Sequence, residues 1–188
     1  MNIIIFGPPG AGKGTQSDFI VKNYNLFQVS TGKILREEIK NNTEVGRKIS
    51  TLMSSGSLVE DKIVNKLIED IVSNKDYANR FIFDGYPRNL DQVNNLDNLL
   101  KKYNQKIDVV LKLSVSLETV KKRILERKTI EKRSDDNEEV AIKRYETYEK
   151  STEPVIDYYK KLNLLKVIDG EKTIDQINKE ISDIISLI

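Results

Sequence analysis

The chain opens MNIIIFGPPGAGKGTQ, and this string constrains the fold more than any other part of the sequence. Asn2 to Phe6 is a continuous, largely β-branched run ending at a glycine, which reads as a strand buried on both faces of a parallel sheet. A glycine-rich turn follows, and a helix is expected from about Lys13. In that setting the backbone N–H groups of residues 10 to 15 can converge on one anion, and the helix N-terminus adds its dipole. Gly7, Gly12 and Lys13 match the phosphate-cradling pattern G-x-x-x-x-G-K-[ST]. Gly14 stands where the hydroxyl belongs, and Thr15 arrives one residue late. Lys13 is expected to reach the β- and γ-phosphates of a nucleotide as a point charge.

The alternation continues. Apolar runs recur at Arg80 to Asp84, Ile107 to Leu113 and Leu164 to Asp169, with a weaker one at Leu26 to Val29. Helical patterns lie between them: residues 61 to 73 put Ile63, Val64, Leu67, Ile68, Ile71 and Val72 on one face. Residues 90 to 102 do so with Leu90, Val93, Leu96, Leu99 and Leu100, and the last segment with Ile174, Ile177, Ile181, Ile184, Ile185 and Ile188. Strands alternating with helices imply an α/β domain, a five-stranded parallel sheet flanked by helices with right-handed crossovers. Two segments break the pattern: residues 30 to 59, a polar helical insertion with turn signals at SSGS, and residues 128 to 136, a short charged loop. A chain of 188 residues suits one domain with small insertions.

Composition narrows the chemistry. With 31 Lys plus Arg against 29 Asp plus Glu, there is no global field to gather nucleic acid or an anionic membrane, so anions must be bound by local placement. Cysteine is absent, which excludes disulfides and thiolate zinc and fits a reducing cytosol. Histidine is absent too, so the chemistry needs no proton shuttle or uses carboxylates. The N-terminus lacks a basic leader region, and no apolar stretch approaches ~20 residues. A soluble, unexported, cytoplasmic protein is the expectation.

GPPGAGKGTQ resembles the P-loop of adenylate kinases and their nucleoside monophosphate kinase relatives, in which Gly-Lys-Gly-Thr is the usual form. The displaced hydroxyl is thus a family mark, and the resemblance implies a P-loop NTPase fold with Gly10, Ala11, Gly12, Lys13, Gly14 and Thr15 on ATP. STGKILREEI (residues 30 to 39), GSLVED (56 to 61) and FDGYPRNLDQ (83 to 92) are similar to the family's acceptor-binding motifs. They imply AMP contacts at Thr31, Arg36, Ser57, Leu58, Val59, Gly85, Tyr86, Pro87, Arg88 and Gln92. Arg36 and Arg88 are two guanidinium forks suited to bidentate grip on one phosphate. Gly85 lets backbone approach the ligand. Asp84, at a strand end, sits where a carboxylate holds the waters of Mg²⁺, with Thr15 near the same ion. Taken singly, Arg36 also fits a pair with a Glu of its own helix, and Asp84 a turn cap.

Base choice rests on two residues. A glutamine carboxamide offers a donor and an acceptor together, matching N1 and the N6 amino group of adenine, and Gln92 occupies the family position for this contact. Thr31 is likewise what adenylate kinases carry, where pyrimidine monophosphate kinases tend to have alanine, with asparagine at the position of Gln92. Asn89 with Gln92 also fits a capping pair, and Thr31 a cap.

RILER, RSDDNEE and KRYETYEKSTEPVIDYY are similar to the family's lid-flanking motifs. They imply that Arg123 covers ATP while Arg127, Arg133 and Arg144 face the phosphate chain, with Asp135 and Asp136 orienting them or capping the next helix. Arg123 and Arg127, four apart, share a helix face. Only KTIEK separates Arg127 from Arg133, so the resemblance is to short-lid members without metal-binding cysteines, and no zinc is expected. VIDGEKTID resembles the loop that touches ATP's adenine, at Gly170 to Lys172.

The implied organisation is a core of residues 1–29, 60–127 and 137–188, a monophosphate-binding insertion at 30–59 and a lid at 128–136. The implied activity is Mg²⁺-dependent transfer of the γ-phosphate of ATP to AMP, giving two ADP, by a monomer that binds neither nucleic acid nor membrane. Such transfer is mostly alignment and charge neutralisation, which suits a chain without histidine. UMP/CMP kinase is the alternative within the class. A small GTPase lacks support, since the guanine-reading N-K-x-D is absent.

Overall fold

The computed structural model describes residues 1–131 and 137–188. Strands β1 (Ile3–Phe6), β2 (Phe27–Ser30), β3 (Phe81–Asp84), β4 (Val109–Ser114) and β5 (Leu165–Asp169) form a five-stranded sheet in the order β2-β3-β1-β4-β5. Every neighbouring pair is parallel. The helices are α1 (Lys13–Tyr24), α2 (Thr31–Lys40), α3 (Glu44–Ser54), α4 (Asp61–Val72), α5 (Leu90–Lys102), α6 (Leu117–Glu131), α7 (Glu138–Lys161) and α8 (Ile174–Ile185).

Strand alternation divides the core in two. Ile4, Phe6, Phe81, Phe83 and Val110 point to one face, where they meet Val64 and Ile68 of α4, Val93 and Leu96 of α5, and Val155 and Tyr159 of α7. Ile3, Ile5, Ile82, Val109 and Leu111 point to the other, against Ile20 of α1, Val120 and Ile124 of α6, and Ile177 and Ile181 of α8. A central strand buried on both faces reads as unbroken isoleucine, which is why the opening run shows no period.

Register sets the sheet's carboxyl edge. Ser30 pairs with Asp84 across β2 and β3, and Ile5 pairs with Asp84 across β1 and β3. The three strands therefore end level, and the segments that follow them, 7–12, 31–36 and 85–89, start side by side. Ligands of open α/β sheets bind outside the carboxyl ends where strand order reverses, here at β1, which lies between β3 and β4.

Some expectations shift. α6 continues to Glu131, so residues 128 to 131 are helical where a loop was expected. α7 is a single helix of 24 residues with Pro154 inside it. Its cap is Asn137, whose side chain accepts from the Val140 N–H at 2.9 Å. Arg133, Asp135 and Asp136, singled out in the sequence, lie outside the described residues. Among the described residues, no helix is long and apolar enough to cross a membrane.

Candidate active site

The loop after β1 builds one side of the site. Gly12, with φ 92°, turns the chain into α1 in a conformation that a side chain would strain, and no side chain caps the helix. The first N–H groups of α1 therefore face the cleft. Ala11 does not join them, because its N–H donates to the Pro8 carbonyl at 3.1 Å. Lys13 is folded back on the loop: its Nζ donates to the carbonyls of Gly7 at 2.7 Å and Pro8 at 3.1 Å. Burial pulls its pKa down to about 8; Asp84 opposes that shift, while Arg88, Arg144 and Arg127 add to it. One carboxylate thus faces a gathering of four cations.

Asp84 is nearly buried, and its Oδ2 accepts from the Ser30 hydroxyl at 3.1 Å. Gly85 follows with φ 81°. The structure gives this glycine a different reason from ligand approach: a Cβ there would lie 2.9 Å from Thr31 Oγ1 and 3.1 Å from the Arg88 guanidinium. Thr31 donates to the Gly85 carbonyl at 3.0 Å, and Arg88 Nε donates to the same oxygen at 2.8 Å. Burial and the neighbouring Arg36 lower the Arg88 pKa. Thr31 is not a cap, because Ser30 precedes α2 and the Thr31 hydroxyl is turned to Gly85.

Two clefts open from this centre. A cavity of about 770 Å³ is lined by Gly10 to Thr15, Asp84, Arg123, Arg127 and Lys172. A smaller one, about 120 Å³, is lined by Thr31, Ser57, Leu58, Val59, Pro87 and Gln92. Lys13, Arg36, Gly85, Arg88 and Arg144 line both. Nearly every residue singled out in the sequence is therefore placed on one wall or the other.

The exceptions are informative. Tyr86, expected at the acceptor, lines neither cleft: it is fully buried, its hydroxyl donates to Asn65 Oδ1 at 2.7 Å and accepts from Asn95 Nδ2 at 2.9 Å. Burial drives its pKa up to about 12. Gly170 also lines neither cleft, because its carbonyl accepts from Arg123 Nη2 at 2.9 Å and so holds the arginine that does. Lys172 lines the larger cavity while donating to Glu180 at 2.9 Å. Asn89 does cap α5, accepting the Gln92 N–H at 2.8 Å, as the capping alternative held. Gln92 nevertheless lines the smaller cleft.

Sequence reasoning missed a further wall. Tyr148 and Thr152 of α7 line the smaller cavity at spacings of four from Arg144, with Leu35, Met53 and Val64 opposite. That spacing is the signal from which they were legible. The Tyr148 hydroxyl is buried with no partner among the described residues, and burial raises its pKa.

Comparison with known proteins covers the same chain. The sequence profile of the family described as adenylate kinase matches residues 5–164. The chain is 44% identical to an adenylate kinase of Pelagibacter ubique, with 100% of both chains covered. It is 44% identical to one of Leptospira biflexa, covering 95% of this chain and 96% of the relative. It is 39% identical to one of Archaeoglobus fulgidus over 100% of this chain and 99% of the relative.

Proposed function

Because the chain belongs to the adenylate kinase family and is a phosphotransferase of that kind, we propose that its two clefts hold Mg·ATP and AMP with their phosphates meeting at Lys13, Arg36, Arg88 and Arg144. The shared cationic wall is the observation that carries this reading. ATP takes the larger cleft, its β- and γ-phosphates on the N–H groups of α1 and on Lys13, which exchanges the Gly7 and Pro8 carbonyls for phosphate oxygens. Arg123 and Arg127 lie along the same side. AMP takes the smaller cleft, its phosphate on Arg36 and Arg88 and its base between Thr31, Val59 and Gln92. The relatives do not favour the UMP/CMP alternative.

The chemistry is one displacement. An oxygen of the AMP phosphate attacks the γ-phosphorus, the bond to the β–γ bridging oxygen breaks, and the charge that leaves stays on ADP. The acceptor is already an anion, so no base is needed, and the cations supply alignment and charge neutralisation. Among the described residues no cluster of three or more acidic side chains could hold a metal by itself. The nearly buried Asp84 carboxylate, already accepting from Ser30, fits a place among the waters of a Mg²⁺ carried on the phosphates, with Thr15 near it. Held there, the ion would supply neutralising charge to the phosphates.

Residues 30–59 are proposed to close over AMP, and the segment at 128–136 to bring in Arg133; the chain is proposed to act as a cytosolic monomer. A bisubstrate mimic joining two adenosines through five phosphates tests the arrangement. It should bind far more tightly than ATP and displace both nucleotides. Binding no tighter than ATP would mean that the clefts do not take two nucleotides at once.

A further inference from the structure

Gln92 is a cleft residue whose chemistry is constrained by its neighbours. A glutamine carboxamide has two N–H donors and two acceptor lone pairs, and which end is which follows from its surroundings. Here Oε1 accepts the Arg88 backbone N–H at 2.7 Å, and Nε2 donates to Asp61 Oδ1 at 2.6 Å. A main-chain N–H only donates and an ionised carboxylate only accepts, so the two partners admit one orientation. Asp61 is itself held, its Oδ2 accepting from Asn89 Nδ2 at 2.9 Å. The network ties the first residue of α4 to the first turn of α5.

One N–H and one lone pair of the carboxamide remain for the cleft. We infer that Asp61 is a positioning residue that sets the polarity of base recognition, fixing Gln92 so that it matches adenine and opposes a base of inverted pattern. Adenine presents an acceptor at N1 and a donor at N6; hypoxanthine presents a donor at N1 and an acceptor at O6. Turning the carboxamide over exchanges the two. The inference rests on the reading of Gln92 as the contact to the base.

The test is phosphoryl transfer from ATP to AMP and to inosine monophosphate by the full chain. Asp61→Asn replaces an acceptor-only group by one that can turn, and should narrow the AMP-over-inosine ratio of kcat/KM by about tenfold, the scale of one hydrogen-bond preference. The change should appear in KM for the monophosphate and leave KM for ATP in place. Asp61→Glu, which keeps the carboxylate, should restore most of the ratio. An unaltered ratio in Asp61→Asn, with both acceptors declining together, would make Asp61 a structural tie and overturn the inference. Gln92→Ala separates the two failures: a wild-type ratio there removes the base contact itself, and the inference with it. Should the Asp61 variants not fold, side-chain amide exchange in the natural protein decides. One Gln92 amide proton is expected to exchange slowly; fast exchange of both would show that the carboxamide is not held.

Discussion

The two clefts that meet at Lys13 are built from different materials. The larger is walled by main chain: glycine-rich loop, uncapped helix start, and arginines reaching in from α6. The smaller is walled by side chains already committed to one another, with Thr31 and Arg88 both on the Gly85 carbonyl and Gln92 between Asp61 and Arg88. Peptide N–H groups recognise phosphate, which all nucleotides share, whereas fixed side-chain polarity recognises one base. The difference teaches where specificity can reside: the backbone cleft grips a class, and the side-chain cleft selects within it.

The comparison breaks most severely at the residue common to both sides. Lys13→Met removes the charge on the transferred group and should lower kcat by about 10² to 10³, by analogy with loss of one preorganised donor. The effect should be the same for every acceptor that is phosphorylated at all, because Lys13 belongs to the phosphate and not to the base. A steady-state comparison of two acceptors would show it, and a loss confined to one of them would place Lys13 in the wrong cleft.

What the sequence made legible follows the same division. A backbone cradle has to be written in glycines at fixed spacing, so Gly10 to Thr15 and the strand before them could be read directly. Side chains that act through a network could not: Tyr86 shares a motif with Arg88, yet its hydroxyl points into the core because Asn65 and Asn95, on two other helices, supply its partners. Gly170 was placed on the nucleotide for the same reason, since nothing local says that its carbonyl would be taken by Arg123, 47 residues away in the chain. Long-range hydrogen bonds carry no period and no spacing. The five parallel strands were legible because apolar runs alternating with helical patterns are local signals, whereas their order in the sheet, a long-range property, was not read from the sequence.

Arg88→Ala sharpens the comparison from the acceptor side. Arg88 is half-buried, bonded to the Gly85 carbonyl and near Arg36, so its loss removes a charged hydrogen-bonding group from one phosphate and should raise KM for AMP by roughly 10- to 100-fold. KM for ATP should move much less. A larger change for ATP than for AMP would exchange the two clefts.

Acidity tests the donor side next. In the nucleotide-free protein Lys13 has a pKa lowered to about 8, because burial and three nearby arginines disfavour its charge. Below that pH it is an ammonium that can clamp phosphate; above it the neutral amine cannot. kcat/KM for ATP, which reports the free enzyme, should therefore fall as pH rises through about 8, tending to a tenfold loss per unit. Bound phosphates favour the charged form, so the same limb in kcat should lie at higher pH. Coincident limbs would mean that Lys13 does not meet the phosphates.

The smallest effect concerns an acceptor-wall group that departs from the rule of committed partners. Among the described residues, the buried Tyr148 hydroxyl has no hydrogen-bond partner, although Thr152 and Arg144 share its helix face. Leaving a buried hydroxyl unpaired costs about 1–3 kcal/mol, a penalty that Tyr148→Phe removes while keeping the ring's packing. The variant should thus be as stable as the natural protein or more so, by up to about 1 kcal/mol in denaturant unfolding without nucleotide. At Thr31 and Gln92 the deletion should instead be destabilising: Thr31→Val removes one of the two donors on the Gly85 carbonyl, and Gln92→Leu takes away the partner of Asp61 Oδ1 and of the Arg88 N–H. The sign of the stability change therefore tests the contrast residue by residue. A loss at Tyr148 as large as that at Thr31 would mean that the hydroxyl is committed after all and that the contrast between the two residues does not hold.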